Sequence, residues 1–500
     1  MSNARILTID QGTSSSRALV VDDRGEVLGS GQEPFRQHFP QPGWVEHDPE
    51  EIWSSTTEAI ATALAAAGIS ASELSCVGIA NQRETLVVWD RETGEPLTNA
   101  IVWQDRRSAS ICSQLQREGH ESTIAKATGL TIDPYFTGTK LTWLLRRQPE
   151  WKERGQRGEI AAGTVDSWLV WKLTAGGSFV TDFTNASRTM LFNIRRGRWD
   201  ESLCELLEVP LEALARPQSS SSAFGTTADE TLGSRIPITG IAGDQQSALF
   251  GQACTTPGRA KNTYGTGAFL LADAGNEPRV SGQRLLVSLG AHTGQAGPEY
   301  VVEGSVFVAG AAVQWLRDQL GVIASAGEVE ELAGSVTDSD GVTFVPAFTG
   351  LGAPYWDPDA RGAVMGISRG TGKAHLARAA LEAIALSSAD LVAAMNHDLP
   401  TPIVELRVDG GAARNNLLMQ MQADFAGVPV VRPANIETTA LGAAYLAGIG
   451  AGIWANADEV GALWKPEREF EPALDPALRE EKLDTWHRAI SRIRGFATSP

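Results

Sequence analysis

The chain has 500 residues, more than one hydrophobic core usually supports, so its length favours two domains. Its 60 acidic and 42 basic residues give a formal charge of −18 at pH 7. A field of this sign repels polyanions, so we expect no nucleic acid and no anionic membrane surface as partner.

The four cysteines are scattered along the chain and form neither a CxxC pair nor a cluster with histidine: Cys76, Cys112, Cys204 and Cys254. This pattern favours reduced thiols in a cytosolic protein over a structural zinc site. The N-terminal residues leave no room for a signal peptide, and no run of 18 apolar residues follows. We therefore expect a cytoplasmic protein without membrane insertion.

The first half alternates short apolar β-type runs with helical patterns, which is typical of α/β layers. Three predicted strands, ILTID, ALVVD and EVLGSGQE, precede an Ala-rich helix predicted near Pro49 to Ala67. Strands SCVGIANQ and TLVVWD follow, and the strand-loop-helix pattern ITGIAGDQQSALFG ends near Gly251. We place the first domain at residues 1–252.

The second half, which we place at residues 253–500, repeats this alternation. NTYGTGAFLLADAG predicts a β-turn-β unit, and ELRVDGGAARNNLLMQMQADFAGVPVVRP predicts a strand, a glycine turn, a helix and a strand. The segment LREEKLDTWHRAISRIRGF predicts an amphipathic helix packed on the body. Its apolar face is expected to consist of Leu478, Leu483, Trp486, Ile490 and Ile493.

A faint internal repeat connects the two halves. LTIDQGT, from Leu7 to Thr13, and LRVDGGA, from Leu406 to Ala412, each place an aspartate after β residues and just before a glycine turn. This suggests two structurally related halves that face one cleft.

The first hairpin turn has the composition of an anion site. QGTSSS offers successive backbone N–H groups and hydroxyls, which together can wrap an anion. Asp10, at the end of a strand, suits a divalent cation held through water, and Arg17 suits a phosphoryl group in transfer. The alternative is a plain β-hairpin with a solvated Ser/Thr turn, and this segment alone leaves both interpretations open.

Nine segments in order and spacing resemble the FGGY family of carbohydrate kinases: DQGTSSSR, NQRET, WQDRR, DPYFTGTKLTWLL, GIAGDQQSALFGQ, KNTYGTG, EGSVFVAGAAVQWLRD, GISRGTGKAHLARAALE and VDGGAARNN. The similarity runs from about Ile6 to about Gly448 and, within the family, is greatest to the kinases of glycerol. The resemblance implies an α/β fold of two actin-like, ribonuclease-H-like ATPase domains with the catalytic cleft between them. It implies ATP and Mg²⁺ as cofactors and glycerol as the substrate.

The resemblance also implies roles for individual residues on the nucleotide side. Asp10 matches the aspartate that holds Mg²⁺ through water, and Arg17 matches a catalytic cation. The remaining matches are to phosphate-contacting positions, Thr13, Ser14, Ser15, Thr266, Gly310 and Gln314, and to the adenosine site, Gly411 and Asn415.

On the acceptor side, the family's glycerol-binding set matches Arg83, Glu84, Tyr135, Asp244 and Gln245, with Trp103 and Phe269 as apolar walls. Asp244 is expected to be the general base that takes the proton from the attacking hydroxyl. Taken alone, Arg83-Glu84 is explained as well by a surface charge pair, and Asp244 by a helix N-cap.

Two other functions remain compatible with parts of the sequence. One is phosphorylation of another polyol or sugar by a member of the same family. The other is an actin-like or chaperone-like ATPase, which needs the hairpin and the DGG turn but has no use for an acceptor cluster. We also expect a homo-oligomer, a dimer or a tetramer.

Overall fold

A computed structural model describes residues 4–294 and 299–497 of the chain. Its strands, in chain order, are β1 (Arg5–Gln11), β2 (Ser15–Asp22), β3 (Val27–Pro34), β4 (Glu46–His47), β5 (Cys76–Asn81), β6 (Val87–Asp90), β7 (Ala100–Ile101), β8 (Ile160–Gly163), β9 (Val180–Asp182), β10 (Phe192–Asn193), β11 (Arg198–Trp199), β12 (Arg216–Gln218), β13 (Ser221–Thr226), β14 (Pro237–Gly243), β15 (Arg259–Tyr264), β16 (Ala268–Gly275), β17 (Leu286–Leu289), β18 (Tyr300–Val306), β19 (Thr343–Val345), β20 (Ala363–Met365), β21 (Glu405–Asp409), β22 (Val430–Pro433) and β23 (Pro466–Phe470).

The α-helices are α1 (Pro49–Ala67), α2 (Ala109–Arg117), α3 (Glu121–Thr128), α4 (Thr137–Arg147), α5 (Pro149–Gln156), α6 (Val165–Leu173), α7 (Phe183–Ala186), α8 (Glu201–Leu206), α9 (Asp229–Leu232), α10 (Asp244–Gly251), α11 (Gly310–Asp318), α12 (Glu328–Gly334), α13 (Lys373–Asp398), α14 (Asn416–Ala426), α15 (Thr438–Gly450), α16 (Ala457–Gly461) and α17 (Pro476–Ile493). Short 3₁₀ helices lie at Ala71–Glu73, Leu211–Ala213 and Gly411–Arg414.

The helix predicted near Pro49 to Ala67 is confirmed as α1. The Asp48 side chain accepts a hydrogen bond from the Glu50 backbone N–H at 2.8 Å, and Pro49 occupies the first helical position. Gly68 ends the helix in the left-handed region, at φ 67°. Local capping chemistry therefore sets both ends of this element.

Two large sheets form the centre of the molecule. The first has the order β13-β14-β5-β1-β2-β3, and the second has the order β17-β18-β16-β15-β21-β22-β23. In each sheet an antiparallel meander, β1-β2-β3 or β15-β16-β18, is followed by two parallel strands and an antiparallel edge strand. The predicted α/β fold with two related halves is confirmed by this shared topology.

The faint sequence repeat, however, pairs the wrong segments. The shared order makes β1 equivalent to β15 and β5 equivalent to β21. Leu7 to Thr13 therefore corresponds to the β15 hairpin, whereas Leu406 to Ala412 corresponds to the end of β5. Both segments place an acidic residue before a glycine turn, but β1 and β21 occupy different positions in the strand order of their sheets.

Helix α15 comes from the second half of the chain and packs on the first sheet, against β14, β5 and β1. The Thr8 hydroxyl of β1 donates to the Ala440 carbonyl oxygen at 2.9 Å. Gly78 of β5 makes this close approach possible, because a Cβ there would lie 2.3 Å from the Ala443 carbonyl oxygen. α15 also packs along α10, the last helix of the first half of the chain.

The C-terminal amphipathic helix is confirmed as α17, but its predicted face is wrong at one position. Trp486, Ile490 and Ile493 are buried and Leu483 packs against the core, whereas Leu478 is 42% exposed. Leu478 lies in the first turn, where the neighbouring Arg479 makes the contact with the body by donating to the carbonyl oxygens of Phe425 and Ala426 at 2.9 and 3.0 Å.

None of the helices in the described residues combines the length and the apolar character needed to cross a lipid bilayer. All four cysteines are buried and free of disulfide bonds.

Candidate active site

The hairpin β1–β2 places Asp10 and Arg17 side by side, because the two residues pair across the strands. The turn between them is closed by the Gly12 N–H, which donates to the Ser15 carbonyl oxygen at 3.0 Å. Burial raises the pKa of Asp10 to about 6, the Arg17 charge opposes this shift, and the Asp244 charge adds to it. Asp10, Arg17 and Asp244 therefore lie within electrostatic reach of one another.

Arg17 is already engaged by two partners. Its guanidinium forms an ion pair with Glu437, the residue just before α15, and Nη2 donates to Gln32 Oε1 at 2.8 Å. The sequence gives no indication that Glu437 approaches Arg17. The predicted cation thus links the first hairpin to a helix from the second half of the chain.

The hydroxyl residues of the first turn differ in their surroundings. Thr13 Oγ1 accepts a hydrogen bond from Trp103 Nε1 at 2.9 Å, which ties the turn to the predicted acceptor wall. Ser15 Oγ accepts from Gln32 Nε2 at 2.9 Å. Ser14 is exposed at the tip of the turn.

The hairpin β15–β16 forms the equivalent turn in the second sheet. Thr266 is exposed at its tip, and its carbonyl oxygen accepts from the N–H groups of Ala309 and Ala311 at 2.9 and 3.1 Å. The Gly310 N–H donates to the Gly265 carbonyl oxygen at 3.0 Å, so this predicted phosphate contact is occupied by the protein. Gln314, one turn further along α11, is exposed.

The DGG turn after β21 leads into α14. Gly410 has φ 83°, and a Cβ there would lie 2.4 Å from the Tyr264 carbonyl oxygen, so glycine is required at this position. Gly411 is exposed, and the Asn415 side chain caps α14 by accepting from the Leu418 N–H at 2.8 Å. Arg414 is exposed beside it.

Arg83 and Glu84 follow β5 and are buried, so the interpretation as a surface charge pair is wrong. Glu84 has φ 60°, in the left-handed region that side chains other than glycine rarely occupy. Such strain persists only where the surroundings fix the conformation, and it concentrates at functional sites. Arg83 Nε lies 3.1 Å from Asp244 Oδ1.

Asp244 is the first residue of α10, and Gly243 is the N-cap, so the N-cap interpretation of Asp244 is also corrected. Its side chain is 28% exposed. Oδ1 faces Arg83, while Oδ2 accepts from Gln245 Nε2 at 3.0 Å. The carboxylate is held from two sides and still reaches solvent.

The aromatic residues form one wall from both halves of the chain. The Trp103 ring lies 5.7 Å from the Tyr135 ring and 6.3 Å from the Phe269 ring, measured between centroids. Phe269 belongs to β16 in the second sheet. The structure therefore gathers the predicted acceptor residues from both sides of the junction.

Sequence reasoning missed the two residues that hold Arg83 and Glu84. Glu303, on β18, accepts from Arg83 Nη1 at 2.6 Å and from Nη2 at 3.0 Å. Arg188 donates from Nε to Glu84 Oε1 at 2.5 Å and from Nη2 to Glu303 Oε1 at 3.1 Å. Neither side chain is accessible to solvent. The two guanidinium groups outweigh burial and lower the pKa of Glu303 to about 2.

A single glutamate inside the apolar strand YVVEGSV was the available signal, because an isolated charge in a buried strand needs a partner. A third missed residue is Lys261 on β15, whose buried Nζ donates to Gln245 Oε1.

The two large sheets have the shared topology of actin-like, ribonuclease-H-like ATPase domains, and the cluster around Arg83 and Asp244 takes residues from both halves of the chain. Residues 5–251 match the N-terminal domain, and residues 260–451 the C-terminal domain, of the FGGY family of carbohydrate kinases. The chain belongs to this family.

Similar curated proteins are glycerol kinases. The chain is 57% identical over 494 residues to glycerol kinase of Aromatoleum aromaticum, covering 99% of each protein. It is 56% identical over 492 residues to glycerol kinase of Trichlorobacter lovleyi, covering 98% of this chain and 99% of the relative.

Among solved structures, Plasmodium falciparum glycerol kinase with ADP has a TM-score of 0.92 and 35% identity, over 98% of both chains. A ligand-bound xylulose kinase from Lactobacillus acidophilus has a TM-score of 0.88 at 22% identity, over 98% of both chains, and shows the fold alone.

Proposed function

We propose that this chain transfers the γ-phosphoryl group of ATP to glycerol, giving sn-glycerol 3-phosphate and ADP. Similarity to named glycerol kinases over nearly the whole chain supports this reaction. The observation that carries it is the buried acceptor cluster, in which Arg83, Glu84 and Asp244 stand beside an aromatic wall. An ATPase without an acceptor has no use for such a cluster.

Glycerol presents three hydroxyl groups on a thin carbon spine. Glu84 offers an acceptor, and Arg83 offers the N–H of Nη2 that remains beside its contacts with Glu303, Gln246 and Asp244. A charge-assisted hydrogen bond of this kind contributes about 1.5–3 kcal/mol. The rings of Trp103 and Phe269 cover the C–H side of the spine and exclude water, which would compete as a nucleophile.

Asp244 acts as the general base. It accepts the proton of the attacking hydroxyl as the new O–P bond forms and the bond to the β-phosphate oxygen breaks, so ADP leaves in one step. General-base catalysis typically contributes about 10²–10⁴ in rate. Arg83 Nε at 3.1 Å from Oδ1 and Gln245 Nε2 at 3.0 Å from Oδ2 orient the carboxylate, whose side chain remains 28% exposed toward the substrate.

The nucleotide side uses the two hairpins. Thr13, Ser14 and Ser15 wrap the phosphates from one side, and Thr266 and Gln314 reach them from the other, with Gly310 supporting the turn. Arg17 moves from Glu437 to the phosphoryl group in transfer, where a guanidinium stabilises developing charge. Gly411 and Asn415 lie at the adenosine end.

Asp10 fits Mg²⁺ by its chemistry. A carboxylate oxygen is a ligand that Mg²⁺ prefers, and a cation there would offset the burial that raises the pKa of Asp10 to about 6. In residues 4–294 and 299–497 no three His, Cys, Asp or Glu side chains are grouped to hold a metal. When bound, Mg²⁺ would supply charge neutralisation on the phosphates, and Asp10 would hold it through water.

We also propose that the enzyme works in the cytoplasm, since its four thiols are free and buried, and that it forms a homo-oligomer.

Coupled ADP release, measured with and without glycerol and against xylulose and gluconate, tests the reaction. We expect release to depend on glycerol and to fall by about 10²–10⁴ in Asp244→Asn. The matched control is Asp229→Asn, which changes an exposed aspartate at the same first position of α9 and should retain activity within about twofold. Faster turnover on xylulose with glycerol inert, or glycerol-independent release, would refute the assignment.

A further inference from the structure

Lys261 brings a buried ammonium group from the second sheet to the acceptor site. It lies on β15 with no solvent exposure, and its Nζ donates to Gln245 Oε1 and, at 2.9 Å, to Thr263 Oγ1. Burying an ammonium group is costly unless it is paired and hydrogen-bonded, so the contacts of Lys261 fix its position. Nothing in the phosphoryl transfer described above uses this group.

Gln245 connects Lys261 to Asp244. Its side-chain oxygen accepts from the ammonium, while Nε2 of the same amide donates to Asp244 Oδ2 at 3.0 Å. A cation on the carbonyl oxygen polarises the amide, which strengthens the N–H as a donor in a low-dielectric site. Lys261 therefore acts on Oδ2 of Asp244 through the hydrogen-bond relay of Gln245, whereas Arg83 contacts Oδ1 directly.

We propose that Lys261 is a positioning residue, which orients the Asp244 carboxylate through the side-chain amide of Gln245. The proposal rests on the proposed function, because it assigns Lys261 a part in the same proton transfer. It also changes the role of Gln245, whose oxygen is engaged by Lys261 instead of by the acceptor. The second sheet thereby contributes to the placement of a base that directly follows β14 of the first sheet.

The charges around Lys261 predict a pH dependence as well. Asp244 and Gln245 face it from α10, Glu303 from β18, Asp409 from β21 and Arg83 from the turn after β5. Burial lowers the pKa of Lys261 to about 8, against the opposing pull of the Asp409 and Asp244 carboxylates. The ammonium is present below that pH and is lost as the pH rises through it. The hydrogen-bond relay from Lys261 to Asp244 therefore weakens on the alkaline side.

The test is a double-mutant cycle between Lys261→Met and Gln245→Leu in the full-length enzyme. We expect Lys261→Met to lower kcat for glycerol phosphorylation by about 10- to 100-fold, with the KM for ATP within about twofold of wild type. Because both residues act through the same hydrogen-bond relay, the double variant should lose no more kcat than Gln245→Leu alone. The control Asn262→Ser changes the next residue of β15, which bonds Ser388 on the opposite face, and should keep kcat within about twofold.

A pH profile from about pH 6.5 to about pH 9.5 gives the second readout. Wild-type kcat should fall above about pH 8, and this alkaline limb should be absent in Lys261→Met. Lys261→Arg, which stays charged, should restore part of kcat and also lack the limb, and it carries the test if Lys261→Met does not fold.

The proposal would be overturned if the losses of kcat were additive in the double variant, or if Lys261→Met kept the alkaline limb of its pH profile, since either result indicates no role in proton transfer. It would also be overturned if Lys261→Met raised the KM for ATP, which indicates a direct contact with nucleotide. Wild-type enzyme that released no ADP with glycerol would instead refute the proposed function, whatever the variants did.

Discussion

Glu303 is a carboxylate without solvent access between two guanidinium groups. It lies on β18 of the second sheet, whereas Arg83 follows β5 of the first. Arg83 uses both of its terminal nitrogens on Glu303, and its remaining nitrogen faces Asp244. The orientation of Arg83 toward an acceptor is therefore set by a residue of the second sheet. Removing one member of such a buried ion cluster leaves the others unpaired, which is more costly than the cluster itself is favourable.

We predict that Glu303→Gln raises the KM for glycerol by about tenfold or more, the equivalent of one lost charge-assisted hydrogen bond. The free energy of unfolding should fall by about 3–5 kcal/mol, because two buried guanidinium groups lose a shared carboxylate. Steady-state kinetics and denaturant unfolding measure the two effects.

The control for this variant is Glu469→Gln, which removes an exposed carboxylate from the edge strand β23 and should change neither quantity measurably. A Glu303→Gln enzyme with unaltered KM for glycerol would show that Arg83 keeps its orientation without the second sheet.

The site could be predicted where its residues follow one another in the chain, and not where they meet across it. Arg83-Glu84 and the hairpin of Asp10 lie in segments whose residue types suggest their chemistry. Glu303 lies 220 residues from Arg83, and no pattern in the sequence specifies which carboxylate meets which guanidinium. The same is true of Glu437, 420 residues from Arg17.

At the scale of elements, Asp390 of α13 anchors the C-terminal helix to the second domain. Its Oδ2 accepts from Trp486 Nε1 at 2.7 Å and from the Tyr355 hydroxyl at 2.6 Å, and Oδ1 lies 2.7 Å from His487 Nε2. The Asp390 side chain is 5% exposed. Asp390 therefore connects both α17 and the loop that contains Tyr355 to α13.

Asp390→Ala should therefore lower the free energy of unfolding by about 2–4 kcal/mol, since buried donors lose a charged acceptor. Activity at a permissive temperature should be retained within about twofold, because α17 carries none of the acceptor residues. Thermal melts and coupled assays check both, with the exposed Asp484→Ala on α17 as a neutral comparison. A melting temperature equal to that of wild type would mean that apolar packing alone holds the helix.

Elements were predictable where local chemistry decides them. The ends of α1 follow from Asp48, Pro49 and Gly68, all visible in the sequence. Leu478 fits the apolar period of α17 but is exposed, because this end of the helix contacts the body through the polar side chain of Arg479, which periodicity of apolar residues does not predict. The equivalence of β1 with β15 depends on strand order, which no local pattern contains.

At the scale of the whole molecule, the contact of α10 with α15 joins the two halves of the chain. α10 begins at Asp244, and Glu437, the partner of Arg17, directly precedes α15. The two helices approach so closely that a Cβ on Gly442 would lie 1.9 Å from the Ser247 carbonyl oxygen. Their packing therefore sets the position of the proposed base relative to the proposed phosphate cation.

We predict that Gly442→Ala pushes α10 away from α15 and lowers kcat by about 10- to 100-fold, since a displacement of about 1 Å at a base has effects of this size. The accompanying loss of stability should be about 1–3 kcal/mol, as for other overpacked contacts. Gly334→Ala, at the exposed end of α12 with no atom within 4 Å of the new methyl group, supplies the matched control and should leave both quantities unchanged or slightly raise stability. Wild-type kcat together with a wild-type melting temperature in Gly442→Ala would show that the helices can separate without moving Asp244, and the coupling of the two halves through this contact would then be wrong.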